Sequence, residues 1–183
     1  TTAQEANLFV LKYIDVDRAN AKEFEKAVAE KTKKFNRSED SDQWFTHKIV
    51  TGPRTGQYAR WFGPKTWADL DNPESSHRIT LGATASHKEA VYWQKNILPL
   101  EKGAGNNEVW MVVPGTSFSN FSEDQPRKYE AIYRWKMKPG MYQRKTAQDV
   151  KLTMAIQASE FKIQGHIARL VSGGDYMTFA NAI

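Results

Sequence analysis

The side chains that could do chemistry in this 183-residue chain are four histidines, six tryptophans, seven tyrosines, two arginines on hairpin strands and the carboxylates. Cysteine is absent, which excludes disulfides, thiol nucleophiles and thiolate metal sites and leaves only His, Asp and Glu as metal ligands. The histidines are His47, His77, His87 and His166, and a haem or metal site needs at least one of them to face a pocket. Ser, His and Asp fall in no nucleophile-elbow pattern, and there is neither a P-loop nor a dinucleotide-binding glycine pattern. Gly173-Gly174 reads as a hairpin turn rather than a phosphate cradle, because no helix follows it.

The aromatic residues carry the stronger signal. Trp44, Trp61, Trp67, Trp93, Trp110 and Trp135, with Tyr13, Tyr58, Tyr133 and Tyr176 on or near strand-like runs, suit an aromatic-lined ligand pocket. They equally suit the commoner use of large rings, which is to fill the space between a sheet and its helices. Arg60 and Arg169 lie on hairpin strands, where a buried guanidinium either neutralises an acidic ligand or pairs with a carboxylate of the protein.

The totals bound the partners. With 40% hydrophobic and 26% charged residues the chain reads as globular, and no apolar run approaches the ~18 residues that a membrane helix needs. The net charge of +5 invites a nucleic-acid reading, but the basic residues are scattered. The densest group, "EKTKKFNR" (30–37), sits where a helix would end, and there cations meet the negative end of the helix dipole. The expected partners are therefore a small-molecule ligand, not nucleic acid or membrane. The small, polar opening "TTAQEAN" resembles the start left by a cleaved signal peptide, so export to a periplasm or cell envelope is an expectation.

These residues must be positioned by elements that the pattern outlines. "ANLFVLKYIDV" (6–16) predicts a strand, and Asp17 predicts the N-cap of a helix whose stripe is Ala21, Phe24, Ala27, Val28 and Phe35. "QWFTHKIVTG" and "GQYARWFG" predict a hairpin turning between Gly52 and Gly56. After Pro64 comes an interrupted helix, with Ser86 to Glu89 as a capping box, and then "EVWMVV" (108–113) as a buried strand. The Ser-, Asn- and Gly-rich residues 115–125 predict a linker between a first unit at 6–114 and a second at 126–183.

The second unit repeats the first. "YEAIYRWKM" predicts a strand, Pro139-Gly140 a break, and Val150, Met154 and Phe161 the apolar positions of a helix. "IVTGPRTGQYARWF" (49–62) lies over "LVSGGDYMTF" (170–179), pairing Ile49 with Leu170, Gly52 with Gly173, Tyr58 with Tyr176 and Trp61 with Phe179. His166 falls over Phe45 and His47 over Ala168, which places the two histidines on opposite sheet faces.

The strand, the break, the helix "EFEKAV", the glycine hairpin and "WADLD" together resemble the dimeric α+β barrel group of the ferredoxin-like fold. The resemblance implies an α+β chain of duplicated ferredoxin-like units, β-α-β-β-α-β then β-α-β-β, with antiparallel sheets and a ligand pocket between sheet and helices. It implies that two such units pair their sheets into a barrel, between subunits or within a duplicated chain, and the duplication suggests that here one chain supplies both halves. Because the second unit lacks a final helix and strand, its sheet is expected to leave an edge that a second chain covers, as a homodimer. The group includes haem-degrading enzymes, cofactor-free monooxygenases, haem peroxidases and proteins with no known activity. His77 lies roughly where the haem-degrading members carry their axial histidine, but their first-strand Asn has no counterpart in Lys12-Tyr13-Ile14. The expectation is accordingly a protein without cofactor, haem being the alternative. Its ligand-binding residues are expected among Tyr58, Arg60, Trp61, His77, His166 and Tyr176. A cofactor-free or haem-dependent monooxygenase and a structural assembly protein are the competing functions.

Overall fold

In a computed structural model, residues 7–37, 43–72, 88–120, 129–175 and 177–183 are described. The chain is α+β with antiparallel strands and divides into two compact units, residues 1–107 and 108–183.

The first unit opens with strand β1 (Leu8–Val16), whose near-continuous burial matches its apolar run. Helix α1 (Ala21–Phe35) begins four residues after Asp17, not at it: the N–H of Asn20 closes a turn on the Asp17 carbonyl at 2.8 Å, and Asn20 takes the cap position. Phe24, Ala27 and Val28 are buried as the 3.6-residue period requires. Strands β2 (Phe45–Lys48) and β3 (Tyr58–Lys65) form the expected hairpin, with Gly52 at φ 90° supplying a left-handed turn residue.

Helix α2 (Trp67–Asp71) follows, capped by a reciprocal box in which Thr66 receives the Asp69 N–H while the Asp69 carboxylate takes the Thr66 N–H. The interrupted helix resumes as α3 (Lys88–Asn96). The expected cap at Ser86, like His77 and His87, lies outside the described residues. Strand β4 (Glu101–Ala104) then pairs with β1. The sheet order within the unit is β2-β3-β1-β4, all antiparallel, the arrangement of a ferredoxin-like β-α-β-β-α-β unit. Ile14, Val16, Phe24, Val28, Tyr58 and Ile97 form its core between sheet and helices.

The run expected as a buried strand, Glu108–Val113, supplies β5 (Glu108–Val112), which pairs with β8 (Gln164–Ser172). The second unit contains β5, β6 (Phe118–Ser119), β7 (Ile132–Lys136), α4 (Tyr142–Gln157), β8 and β9 (Thr178–Ala182). Its order is β5-β8-β9-β7, with β6 on the start of β8. The expected linker is thus partly built in. Thr116 is fully buried, and its hydroxyl oxygen accepts the Ile167 N–H at 3.3 Å.

Of the predicted stripe of helix α4 only Val150 turns inward, and it is half-buried. Met154 is 62% exposed, and Phe161, beyond the helix end, is 69% exposed. Asp149 and Thr153 are buried instead. The ion pair between Lys145 and Asp149, one turn apart, supplies the partner that lets the carboxylate turn inward.

In the segments β1-α1-β2-β3 and β7-α4-β8-β9 alike, the first strand pairs with the third and the second with the third. Register refines the sequence alignment. Lys48 faces Tyr58 and Arg169 faces Phe179, so with Ile49 over Leu170 the chain aligns without a gap. Tyr58 then matches Phe179 rather than Tyr176, Trp61 matches Ala182 rather than Phe179, and Arg60 matches Asn181. The turn geometry agrees: Gly52 and Gly173 have φ of 90° and 87°, and Gly56 at 92° matches Met177 at 60°.

Candidate functional site

Strand alternation sorts the expected residues by face. On β3, Tyr58, Arg60 and Phe62 face the helices, Tyr58 packing on Phe24 of α1 at 4.7 Å between ring centroids. Trp61 points the other way, against Phe9, Phe45 and the edge of His47. The structure therefore brings Tyr58 and Arg60 together and leaves Trp61 on the opposite face. Phe45 and His47 share that face, and His166 occupies the place of Phe45 in the second unit. The two histidines thus take matching faces, not opposite ones, because positions two apart lie on one side of a strand. Tyr176, like His77, lies outside the described residues.

Arg60 is the centre of the helix-side cluster. Only 2% of it is exposed, and its guanidinium carbon lies 4.9 Å from the ring centre of Trp44 and 5.0 Å from that of Trp93. Its Nη1 donates to Thr46 Oγ1 at 2.8 Å, the residue directly opposite on β2. Among the described residues its Nη2 has no hydrogen-bond partner, and neither has the indole Nε1 of the neighbouring Trp44. Two N–H donors on neighbouring side chains are thus buried without acceptors among these residues, at a cost of about 1–3 kcal/mol each and more for the charged one. Desolvation pulls the guanidinium pKa down to about 10, against the opposing pull of Glu89 and Glu101, so it stays protonated at neutral pH.

Trp93 organises the remaining charges. Lys12, Lys31 and Arg60 all lie within 6 Å of its ring centre. Its Nε1 donates to Glu101 Oε1 at 2.9 Å, and burial holds the Glu101 carboxyl above its ordinary range. Lys31, from the last turns of α1, is buried in an ion pair with Glu89 of α3 and donates to Asn36 Oδ1 at 2.6 Å. Asn36 Nδ2 donates to the same Glu89 carboxylate at 3.3 Å.

Of the residues expected to bind a ligand, Tyr58 and Arg60 lie in this cluster; Trp44 and Trp93 stood out only as two of the aromatic residues, and Lys31, Glu89 and Glu101 not as site residues. A signal for part of it existed: Lys31 sits four residues after Ala27 on the apolar stripe of α1, a charge where the period predicts burial.

The other expected residues lie elsewhere. His166 is partly buried on β8, and burial lowers its pKa against the pull of Glu130. Among the described residues no group of three or more His, Asp or Glu is placed to hold a metal ion. Arg169 donates to Met111 Sδ at 3.5 Å. A shallow cleft of about 440 Å³ between α1 and α3, with Lys34, Phe35, Lys88 and Tyr92 on its walls, includes none of the expected residues.

No family model and no curated protein matches the chain. Among solved structures, one provisionally assigned as a monooxygenase from Lactobacillus acidophilus NCFM is similar over 97% of this chain and 76% of its own. It has a TM-score of 0.60 at 7% identity. An anthrone oxidase-like protein aligns over 100% of this chain and 74% of its own, with a TM-score of 0.49 at 13% identity. The first likeness, the antiparallel α+β architecture and the ferredoxin-like strand order agree with the sequence resemblance: the chain has the fold of the dimeric α+β barrel group.

Proposed function

We propose that the protein binds a small organic ligand between the sheet and the helices of its first unit, at the aromatic cluster around Arg60. The observation that carries this reading is the buried Arg60 guanidinium, held between Trp44 and Trp93 with Nη2 unsatisfied. A side chain kept only for packing would not retain a buried charge with an idle donor. The ligand needs no resident cofactor in this reading. Haemin added to the purified protein leaves the spectrum of free haemin unchanged; a sharpened Soret band lost in His77→Ala or His166→Ala would overturn that.

A second reading, a cofactor-free monooxygenase, is favoured by the fold shared with the Lactobacillus protein. In that case the substrate itself reduces O2: a CH2 group becomes C=O, and the second oxygen atom leaves as water. The first unit would supply the cavity and Arg60 would hold an oxyanion of the substrate.

We also propose that the matched β-α-β-β segments are an internal duplication and that the protein is a homodimer which binds neither nucleic acid nor membrane. Among the described residues no helix is long and apolar enough to cross a membrane. Light scattering that returned a mass near 20.9 kDa would count against the dimer. The site itself is tested by screening small aromatic compounds for quenching of tryptophan fluorescence, with an oxygen electrode run on every hit. Saturable quenching without oxygen uptake supports the binding protein, and uptake stoichiometric with compound supports the oxygenase. Quenching unaltered in Arg60→Met would place the ligand elsewhere.

A further inference from the structure

We infer that the ligand at Arg60 is a monoanion, a small organic carboxylate or an equivalent oxyanion, whose oxygen accepts hydrogen bonds from both Arg60 Nη2 and Trp44 Nε1. This rests on the reading of the cluster as a ligand site and adds what the site selects.

The first ground is the type of atoms left over. Both idle groups are donors, both are buried, and they belong to neighbouring side chains. What they lack is an acceptor, and a charged oxygen is the acceptor that a desolvated guanidinium binds most strongly. A ligand offering only donors would leave both unsatisfied.

The second ground is charge. Among the described residues three cations, Lys12, Lys31 and Arg60, stand around Trp93 against two carboxylates, Glu89 and Glu101. Lys31 and Asn36 hold Glu89, while Glu101 takes the Trp93 N–H and feels Lys12. Arg60 makes its hydrogen bond to a neutral hydroxyl, that of Thr46. The surplus positive charge is therefore located at Arg60, and one negative charge balances it. A dianion would overshoot and be repelled by Glu89 and Glu101.

The third ground is two comparisons inside the chain. Arg134 lies over a tryptophan much as Arg60 does, 5.0 Å from the ring centre of Trp110, but its Nη2 meets Glu108 at 3.0 Å. When this protein uses an arginine over an indole structurally, it supplies the carboxylate. The position in the second unit that matches Arg60 holds Asn181, whose idle buried atom is an acceptor, Oδ1. The anion site therefore belongs to the first unit alone.

The test uses the full chain labelled with 15N and follows its indole N–H signals at constant ionic strength. Trp44 is identified as the signal absent in Trp44→Phe. Sodium benzoate is titrated against benzamide, its uncharged counterpart of nearly equal size. The expected result is a saturable downfield shift of the Trp44 signal with benzoate, at least tenfold tighter than with benzamide, and no such shift in Arg60→Met. The signal of Trp135, whose Nε1 is also idle, stays in place as an internal control. Arg60→Gln, which keeps hydrogen bonding without charge, replaces Arg60→Met if the latter does not fold. Equal binding of benzoate and benzamide would overturn the anion assignment and leave the ligand site standing. Binding of neither would overturn both. A benzoate shift that persisted without the Arg60 charge would overturn the assignment of the anion to that residue.

Discussion

Replacing Arg60 with Met is expected to make the protein more stable and less able to bind. Arg60 is buried, and its pKa falls to about 10. Since a tenfold change in proton affinity is about 1.4 kcal/mol, keeping this group charged at neutral pH costs the folded state about 3 kcal/mol. Met has a similar reach, carries no charge and removes that cost. Against it stand the Thr46 hydrogen bond, about 1 kcal/mol, and the two cation–π contacts with Trp44 and Trp93, about 1 kcal/mol each. A thioether between two indoles recovers roughly half of the latter through sulfur–aromatic contact. The net change is a gain of about 1 kcal/mol, or roughly 2–4 °C in Tm for a chain of this size. Urea unfolding followed by tryptophan fluorescence, with circular dichroism as a second probe, measures it. A loss above about 2 kcal/mol would show instead that the guanidinium serves the fold rather than a ligand.

Three further outcomes follow from named contacts. Burial raises the folded-state pKa of Glu101, so its stabilising contribution is complete below the unfolded value and is lost as pH rises through the folded one. Glu101→Gln should therefore be more stable than wild type at pH 7, with the difference vanishing below about pH 4 in paired urea titrations. Lys31→Met leaves Glu89 and Asn36 buried without their cation and should cost about 3–5 kcal/mol, while adding Glu89→Leu restores most of it. Met177 holds a left-handed φ of 60° where the matching residue of the first unit is Gly56. Met177→Gly should gain up to about 1 kcal/mol, and a loss would show that the two hairpin turns are not equivalent.

Much of the fold was legible because it rests on local chemistry. The apolar run of β1, the stripe of α1 and the glycines of the first hairpin each fix an element without reference to the rest of the chain. What failed depended on partners distant in sequence. Glu108–Val113 reads as a strand, but nothing local says that β8, more than 50 residues on, pairs with it. In α4 the period pointed to Met154, yet the inward face carries Asp149, which is admitted only because Lys145 pairs with it. The site was half legible for the same reason. Strand alternation would have separated Tyr58 and Arg60 from Trp61, since odd and even positions on β3 face opposite ways. The pairing of Lys31 with Glu89, 58 residues apart, and the closing of Trp44 and Trp93 on Arg60 exist only after the sheet and the helices have met.

A crystal structure of the protein grown with benzoate would show whether the two donors share an anion. A carboxylate oxygen is expected about 2.7–3.2 Å from both Arg60 Nη2 and Trp44 Nε1, with the ring among the aromatic residues of the first unit. Benzoate bound elsewhere while those two donors stay idle or meet a protein carboxylate would contradict it.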